Sequence, residues 1–555
     1  MNRRDLLTLD FSTHQHQDFS GVARTLSGLA PYAGPWTLAE VKHLLRRAMF
    51  GSPKSDADYF VGLGMTNTIT ELLTAPPTAP ASPLWTYDAN YSDPNVPQGT
   101  TWVTAPYDGM ANGFRIRSYK AWWTGLMLNQ TRSIQEKMTL FWMNHFSTET
   151  ASVGDARLSY KTNTLCRQYA LGNFKTLTKL ITLDPGMLKY LNGNVNTNNA
   201  PDENYGRELQ ELFTVGKDAN GNPYYSQSDV VAAAHVLTGY RINSANVTSY
   251  FDSTRHDPLN KTFSAFYNNT VITGQSGAGG ANELDDLLAM IFATNEVATF
   301  ICRKLYRFFV YYEIDAAAET NVIQPLATIL RNNNYEILPV LTALFSSEHF
   351  FDPLNRGCII KAPVDLAVAF CRDYGVVFPD STNLIGQYAM WYKLSQQLGI
   401  LTQNIGDPPN VAGWASYYQE PQFHELWINS DTLPKRNLFT DTMVNNGYNG
   451  SGSNIVADVV AYTQSLTNTA LTIPFDPDIF IQDVIDRHFS EDVSQTVKDY
   501  LKNILLSGQI SNYYWTNAWT DYINTPTNTS YYNIVLTRLR SMYQYIMDLS
   551  EYQLS

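Results

Sequence analysis

Apolar residues recur at helical spacing along most of this chain. At 100° per residue, Leu38, Val41, Leu44, Leu45, Ala48 and Met49 form one stripe. Thr37 and Glu40 precede it as a T-x-x-E capping box and Gly51 follows as a stop, which predicts a helix between them. His43 and Arg47 fall on the opposite face and are expected in solvent. The same spacing predicts helices over residues 115–130, 133–146 and 158–183, the last broken by an Asp184-Pro185-Gly186 turn. D-E-N-Y-G-R-E-L-Q-E-L-F-T-V-G, from Asp202 to Gly216, predicts a helix of about four turns that buries Tyr205, Leu209, Leu212 and Phe213 and closes on a capping glycine. Ser226 and Asp229 cap a further helix that runs through Leu237.

Between these elements the periodicity lapses. Residues 75–109, rich in Pro, Thr, Asp and Tyr, predict a long irregular loop. Residues 239–282 are rich in turn formers and leave room only for short strands. Helical spacing returns over 284–292, 296–309, 321–331, 337–345, 362–374 and 383–398. G-D-P-P-N-V-A-G-W, ending at Trp414, predicts a rigid turn with a buried tryptophan. A Gly/Asn/Ser stretch over 445–454 is the best linker candidate, and four more helix patterns follow it. No period of 20–50 residues repeats. The expectation is an all-α fold, a large multi-helix assembly with long irregular loops and at most short strands. It divides into an irregular arm over 1–35, a main helical domain over 36–445, and a C-terminal helical segment over 446–555 packed on it.

Composition supports a packed core: 44% of the 555 residues are hydrophobic and only 16% charged, which excludes disorder. A net charge of -13 argues against nucleic acid or an anionic membrane as the main partner, because both reward clustered Lys and Arg. No apolar run approaches the ~18 residues of a membrane span, so a soluble chain is expected. Cys166, Cys302, Cys358 and Cys371 lack the spacing of a thiolate zinc site, and whether Cys358 and Cys371 meet is open. Met1-Asn-Arg-Arg-Asp-Leu-Leu imitates a twin-arginine export signal, but the polar stretch from Thr8 to Ser20 replaces the apolar run such a signal needs. It is expected to be a remnant or a coincidence.

The candidate chemistry lies in three places. On the Asp202-to-Gly216 helix, Glu203, Arg207 and Glu211 stand four apart as an ion-pair ladder, worth only a few tenths of a kcal/mol per pair. Asn204 and Glu208 border its apolar face, and a carboxylate there needs a partner or an ion. Glu208 and Glu211 have an E-x-x-E spacing that can set two carboxylates around one proton or one divalent metal. His145 sits on an apolar stripe with Ile134, Met138 and Phe141; a core histidine bonded to a carbonyl or carboxylate is weighed against a ligand or base. His256 and Asp257, flanked by Arg255 and Lys261, lie in a loop, where metal binding or base chemistry balances plain turn bonding. His235, at the edge of its helix's apolar face, carries little weight. No signature of a zinc protease, P-loop, serine-hydrolase elbow or dinucleotide fold is present. The 11 Trp and 35 Tyr could line a carbohydrate groove or fill the core.

Seven motifs in order carry a family resemblance: H-L-L-R-R-A-M-F-G from His43, E-K-M-T-L-F-W-M-N-H-F from Glu136, E-N-Y-G-R-E-L-Q-E-L-F-T-V-G from Glu203, L-T-G-Y from Leu237, H-D-P-L-N-K-T-F from His256, P-P-N-V-A-G-W from Pro408 and W-I-N-S from Trp427. The set resembles the bacterial family catalogued as domain of unknown function 1800, from about Trp36 onward. The resemblance implies a largely helical protein without a settled activity, exported to the periplasm or cell surface, with a sulfatase-like protein as partner; the missing export core leaves the cytoplasm as the alternative. Met143 stands where the family often has a first histidine, which weakens a two-histidine metal site. His235 replaces a usual arginine and Tyr240 a usual tryptophan. Two functional expectations remain beside an envelope scaffold or accessory subunit. One is a metal-assisted or carboxylate-based hydrolase, with Glu208, Glu211, His256 and Asp257 catalytic and His145, Arg207, Asn204, Lys261, Asn410 and Trp414 binding. The other is a carbohydrate-binding protein.

Overall fold

Thr37 starts the first helix as predicted. Its side chain and that of Glu40 form a reciprocal capping box, and the helix spans Leu38–Ala48. The second predicted box, Ser226 with Asp229, starts the Gln227–Val236 helix in the same way. The computed structural model describes residues 25–86, 91–218, 220–466 and 473–555. Residues 1–24 of the expected arm, with the export-like start, lie outside the described residues.

The fold is mostly all-α, with 58% of the chain helical. Among the described residues the strands form two-stranded antiparallel hairpins: Tyr240–Asn243 with Thr248–Phe251, Lys261–Thr262 with Val271–Ile272, and Tyr448–Gly450 with Ser453–Ile455. The last is where the Gly/Asn/Ser stretch folds back against the long Leu384–Ile400 helix. That helix lies along Gly109–Leu128. Gly125 makes the close approach, since a Cβ there would fall 2.6 Å from the Trp391 indole.

Several elements differ from their prediction, each for a local reason. The stretch 158–183 is two helices, Ala156–Gln168 and Phe174–Thr182, because the Asn173 side chain caps a fresh start by accepting the Thr176 N–H. The Asp184-Pro185-Gly186 turn instead opens the Pro185–Tyr190 helix, with Asp184 as its cap and proline at its first position. Residues 319–323 form a π-turn ahead of the Gln324–Asn332 helix. His43 and Arg47 are buried rather than solvated: His43 Nε2 lies 2.9 Å from the Phe350 carbonyl, and Arg47 donates to the carbonyls of Asn355 and Ser555. Their helix is enclosed on both faces, so its polar side found carbonyls instead of water.

Buried side chains from Val41 to Tyr552 form one connected core. Nine of the 11 tryptophans are buried, and Trp36 and Trp391 are partly so. Among the described residues the exposed aromatic rings belong to tyrosines and to Phe475. All four cysteines are free thiols. No described helix is long and apolar enough to cross a membrane.

Candidate functional site

The Asp202-to-Gly216 segment is not one regular helix. Asn204–Glu208 is α-helical, and Leu209–Thr214 widens into a π-turn. The Val215 and Gly216 N–H groups both reach back to the Gln210 carbonyl at 2.9 Å. Every helix end leaves carbonyls without intrahelical partners, and two side chains from elsewhere take them here. His145 Nε2 faces the Phe213 carbonyl at 3.1 Å, and Lys304 Nζ donates to the Leu212 carbonyl and to His145 Nδ1, each at 3.1 Å. Burial, reinforced by the Lys304 charge, holds the His145 pKa well below the usual histidine range. A neutral ring with its proton on Nε2 satisfies both contacts. Burial also holds Lys304 down to about 7. His145 is thus a core histidine bonded to a carbonyl. The sequence did carry a signal for the unremarked Lys304: Phe300 and Phe308 flank it at four-residue spacing, putting an ammonium in an aromatic stripe, 4.8 Å from the Phe300 ring centre.

The π-turn also breaks the expected charge ladder. Arg207 pairs with Glu203 at 3.0 Å and bonds Gln227 as well. Glu211, rotated by the wider turn, leaves Arg207 and pairs with Lys217 at 2.5 Å while accepting from the Tyr225 hydroxyl. Asn204 is exposed instead of bordering the core. Glu208 is half-buried without a hydrogen-bond partner among the described residues, and burial together with Glu211 raises its pKa.

The 239–282 region gathers the densest set of titratable groups. Buried His256 places Nδ1 against the Thr238 carbonyl (3.0 Å) and hydroxyl (3.1 Å), and Nε2 against Glu283 at 3.1 Å. Buried Lys261 donates to Glu283 and to the Asp257 carbonyl, both at 2.5 Å. Glu283 is fully enclosed and also accepts the Gln275 N–H at 2.7 Å. It opens the Glu283–Phe292 helix, where the dipole favours its charge. Outside this knot, Asp257 holds His235 Nδ1 at 2.5 Å. Burial pushes the Asp257 carboxyl up, but the Leu259 N–H, His235 and Lys261 outweigh it and bring it below the usual range. A carboxylate-held imidazole is the arrangement of a general base. The region brings together His256, Asp257 and Lys261 of the candidates, adding His235 and Glu283. Glu283 stands one residue before the helix predicted over 284–292, and its role had no sequence signal.

Among the described residues no hydrogen bond or ion pair joins His256 to His145 or to Glu208: His256 bonds Thr238 and Glu283, while His145 bonds Phe213, at the end of the Glu208 segment, and Lys304. Asn410 and Trp414 lie in a third place. The Trp414 N–H donates to Asn144 Oδ1 at 3.0 Å, Ser147 donates to the Asn410 carbonyl at 3.1 Å, and the Asn410 amide reaches the Tyr418 hydroxyl at 2.9 Å. Their loop is clamped to the end of the Gln135–His145 helix, with Trp414 buried and Asn410 exposed. Among the described residues, no group of three or more His, Cys, Asp or Glu is placed to hold a metal ion.

No curated protein and no solved structure matches the chain. Residues 43–554, nearly its whole length, match the model of the family described as protein of unknown function (DUF1800), and the chain belongs to that family.

Proposed function

We propose that this protein is a helical scaffold or accessory subunit of the cell envelope, and that its partner is the sulfatase-like protein the family resemblance implies. One observation carries the reading: several polar residues in or beside the motifs bind other motifs. Asn144 and Ser147 hold the Asn410-to-Trp414 loop, His145 ends the Glu203-to-Gly216 segment, and Thr238 holds His256 and Asp257. Such residues fix a shape, which a partner can then recognise. The His235–Asp257 pair fits the same account, because the arginine usual at position 235 would pair with Asp257 as the histidine does. Affinity purification of the tagged full chain from its native host tests the proposal. The expected result is one reproducible co-purifying protein of the sulfatase-like class. Recovery of no reproducible partner overturns it.

A further inference from the structure

A second feature of the 239–251 hairpin points outward. Arg241 and Tyr250 are directly paired across its ladder and share one face. With Lys189, Asn194, Ser244 and Asp155 they line a pocket of about 250 Å³. The Arg241 Nη1 donates to the Asn194 carbonyl, which fixes the guanidinium, while its buried Nε and Nη2 have no acceptor. Nε and Nη2 form the edge that grips a carboxylate or phosphate with two parallel hydrogen bonds. Other arginines have a single buried donor without an acceptor; among the described residues only Arg241 has two. Leaving such donors unmet is costly, and native proteins keep few of them.

The charges around the pocket favour an anion. Lys189 is exposed and has no ion pair or hydrogen bond among the described residues. The one carboxylate lining the pocket, Asp155, is neutralised by Arg157 through two contacts, at 3.1 and 2.7 Å. Lys161 reaches the Val247 carbonyl at 2.6 Å and faces the buried Asp184, and Arg255 is paired with Asp252 at 3.1 Å. Two cations therefore face the pocket with no ion pair of their own among the described residues, although Asp252, paired with Arg255, also acts on Arg241; the chain as a whole carries a net charge of -13. Tyr250 is 52% exposed and its hydroxyl has no hydrogen-bond partner among the described residues, so no bond fixes its ring beside Arg241.

We infer that this pocket binds a small oxyanion-bearing molecule, its carboxylate or phosphate held side-on by Arg241 and neutralised by Lys189. The volume lies below the ~300–1,000 Å³ of drug-sized sites, so the ligand is small. Calorimetric titration of the full chain with inorganic phosphate and, separately, acetate tests it. Binding of phosphate alone identifies a phosphorylated ligand, and binding of acetate alone a carboxylate. Arg241→Gln is expected to weaken that binding about tenfold or more, while Lys435→Gln, in a surface ion pair with Asp431 outside the pocket lining, leaves it unchanged. Absence of binding for both anions up to ~10 mM, or an Arg241→Gln variant that binds like the parent, overturns the inference. Should Arg241→Gln fail to fold, exposed Lys189→Gln replaces it; a several-fold loss supports the site, and unchanged affinity sinks it.

Discussion

Lys304 is a single residue with a measurable pH signature. Its ammonium is held down to about 7 in the folded protein, against about 10.4 in an unfolded chain. Between those values the unfolded state binds the extra proton, so stability rises with pH there; below about 7 the full cost of the buried charge is present. Lys304→Met keeps the apolar stem and removes the titration. From pH 7 to 9 the parent should gain up to about 2 kcal/mol more than the variant in urea unfolding. Equal slopes would show that the ammonium is not buried in solution. The variant also loses the bonds to His145 and Leu212, which shifts its stability by a further amount, so the slope and not the level is the readout. His43 and Arg47 show why residue roles were only partly legible. A helical wheel assumes one wet side, and the Leu38–Ala48 helix has none. Glu283 carried no signal because its three partners come from a hairpin strand and the loops around it, whose path no local pattern encodes.

At the scale of elements, the capped helices were the easiest to foresee. Thr37 with Glu40 and Ser226 with Asp229 are local signals, complete within four residues. The π-turn at Leu209–Thr214 has no such signal, since the composition of a π-turn is that of an α-helix, and the wheel drawn for Glu211 was rotated accordingly. Helix pairing is equally absent from local sequence, since the approach of Gly125 to Trp391 joins residues far apart in the chain. One substitution at two glycines of the same helix separates the two roles. Gly113→Ala meets nothing within 4 Å and should stabilise by up to about 1 kcal/mol. Gly125→Ala pushes a methyl to 2.6 Å from the indole and should destabilise by about 1–3 kcal/mol. Denaturant midpoints of the two variants decide it; a shift in the same direction for both would mean that the Gly109–Leu128 and Leu384–Ile400 helices do not pack as described.

The whole molecule is held by contacts between segments remote in sequence, and this is what the motifs contribute. The fold class followed from periodicity because periodicity reports which side of each helix is dry. The grouping of the candidate residues is not periodic information, because it depends on which helices meet: His145 joins the end of the Glu208 segment, and His256 forms a separate junction with Glu283. One of them has a consequence for the order in which the chain comes apart. The end of the Leu209–Thr214 turn is tied by His145, 68 residues before its acceptor, and by Lys304, 92 residues after. Helix ends ordinarily fray, opening and closing with almost no free-energy cost. This one cannot fray without undocking the Glu296–Phe309 helix as well. In native-state hydrogen exchange the Val215 and Gly216 amides should therefore open together with those of Ile301 to Leu305, in a single cooperative unit. Exchange at the rate of a loose terminus would show that the tie is absent. Bonds that span so much chain bind the last turn of one helix to the opening of another.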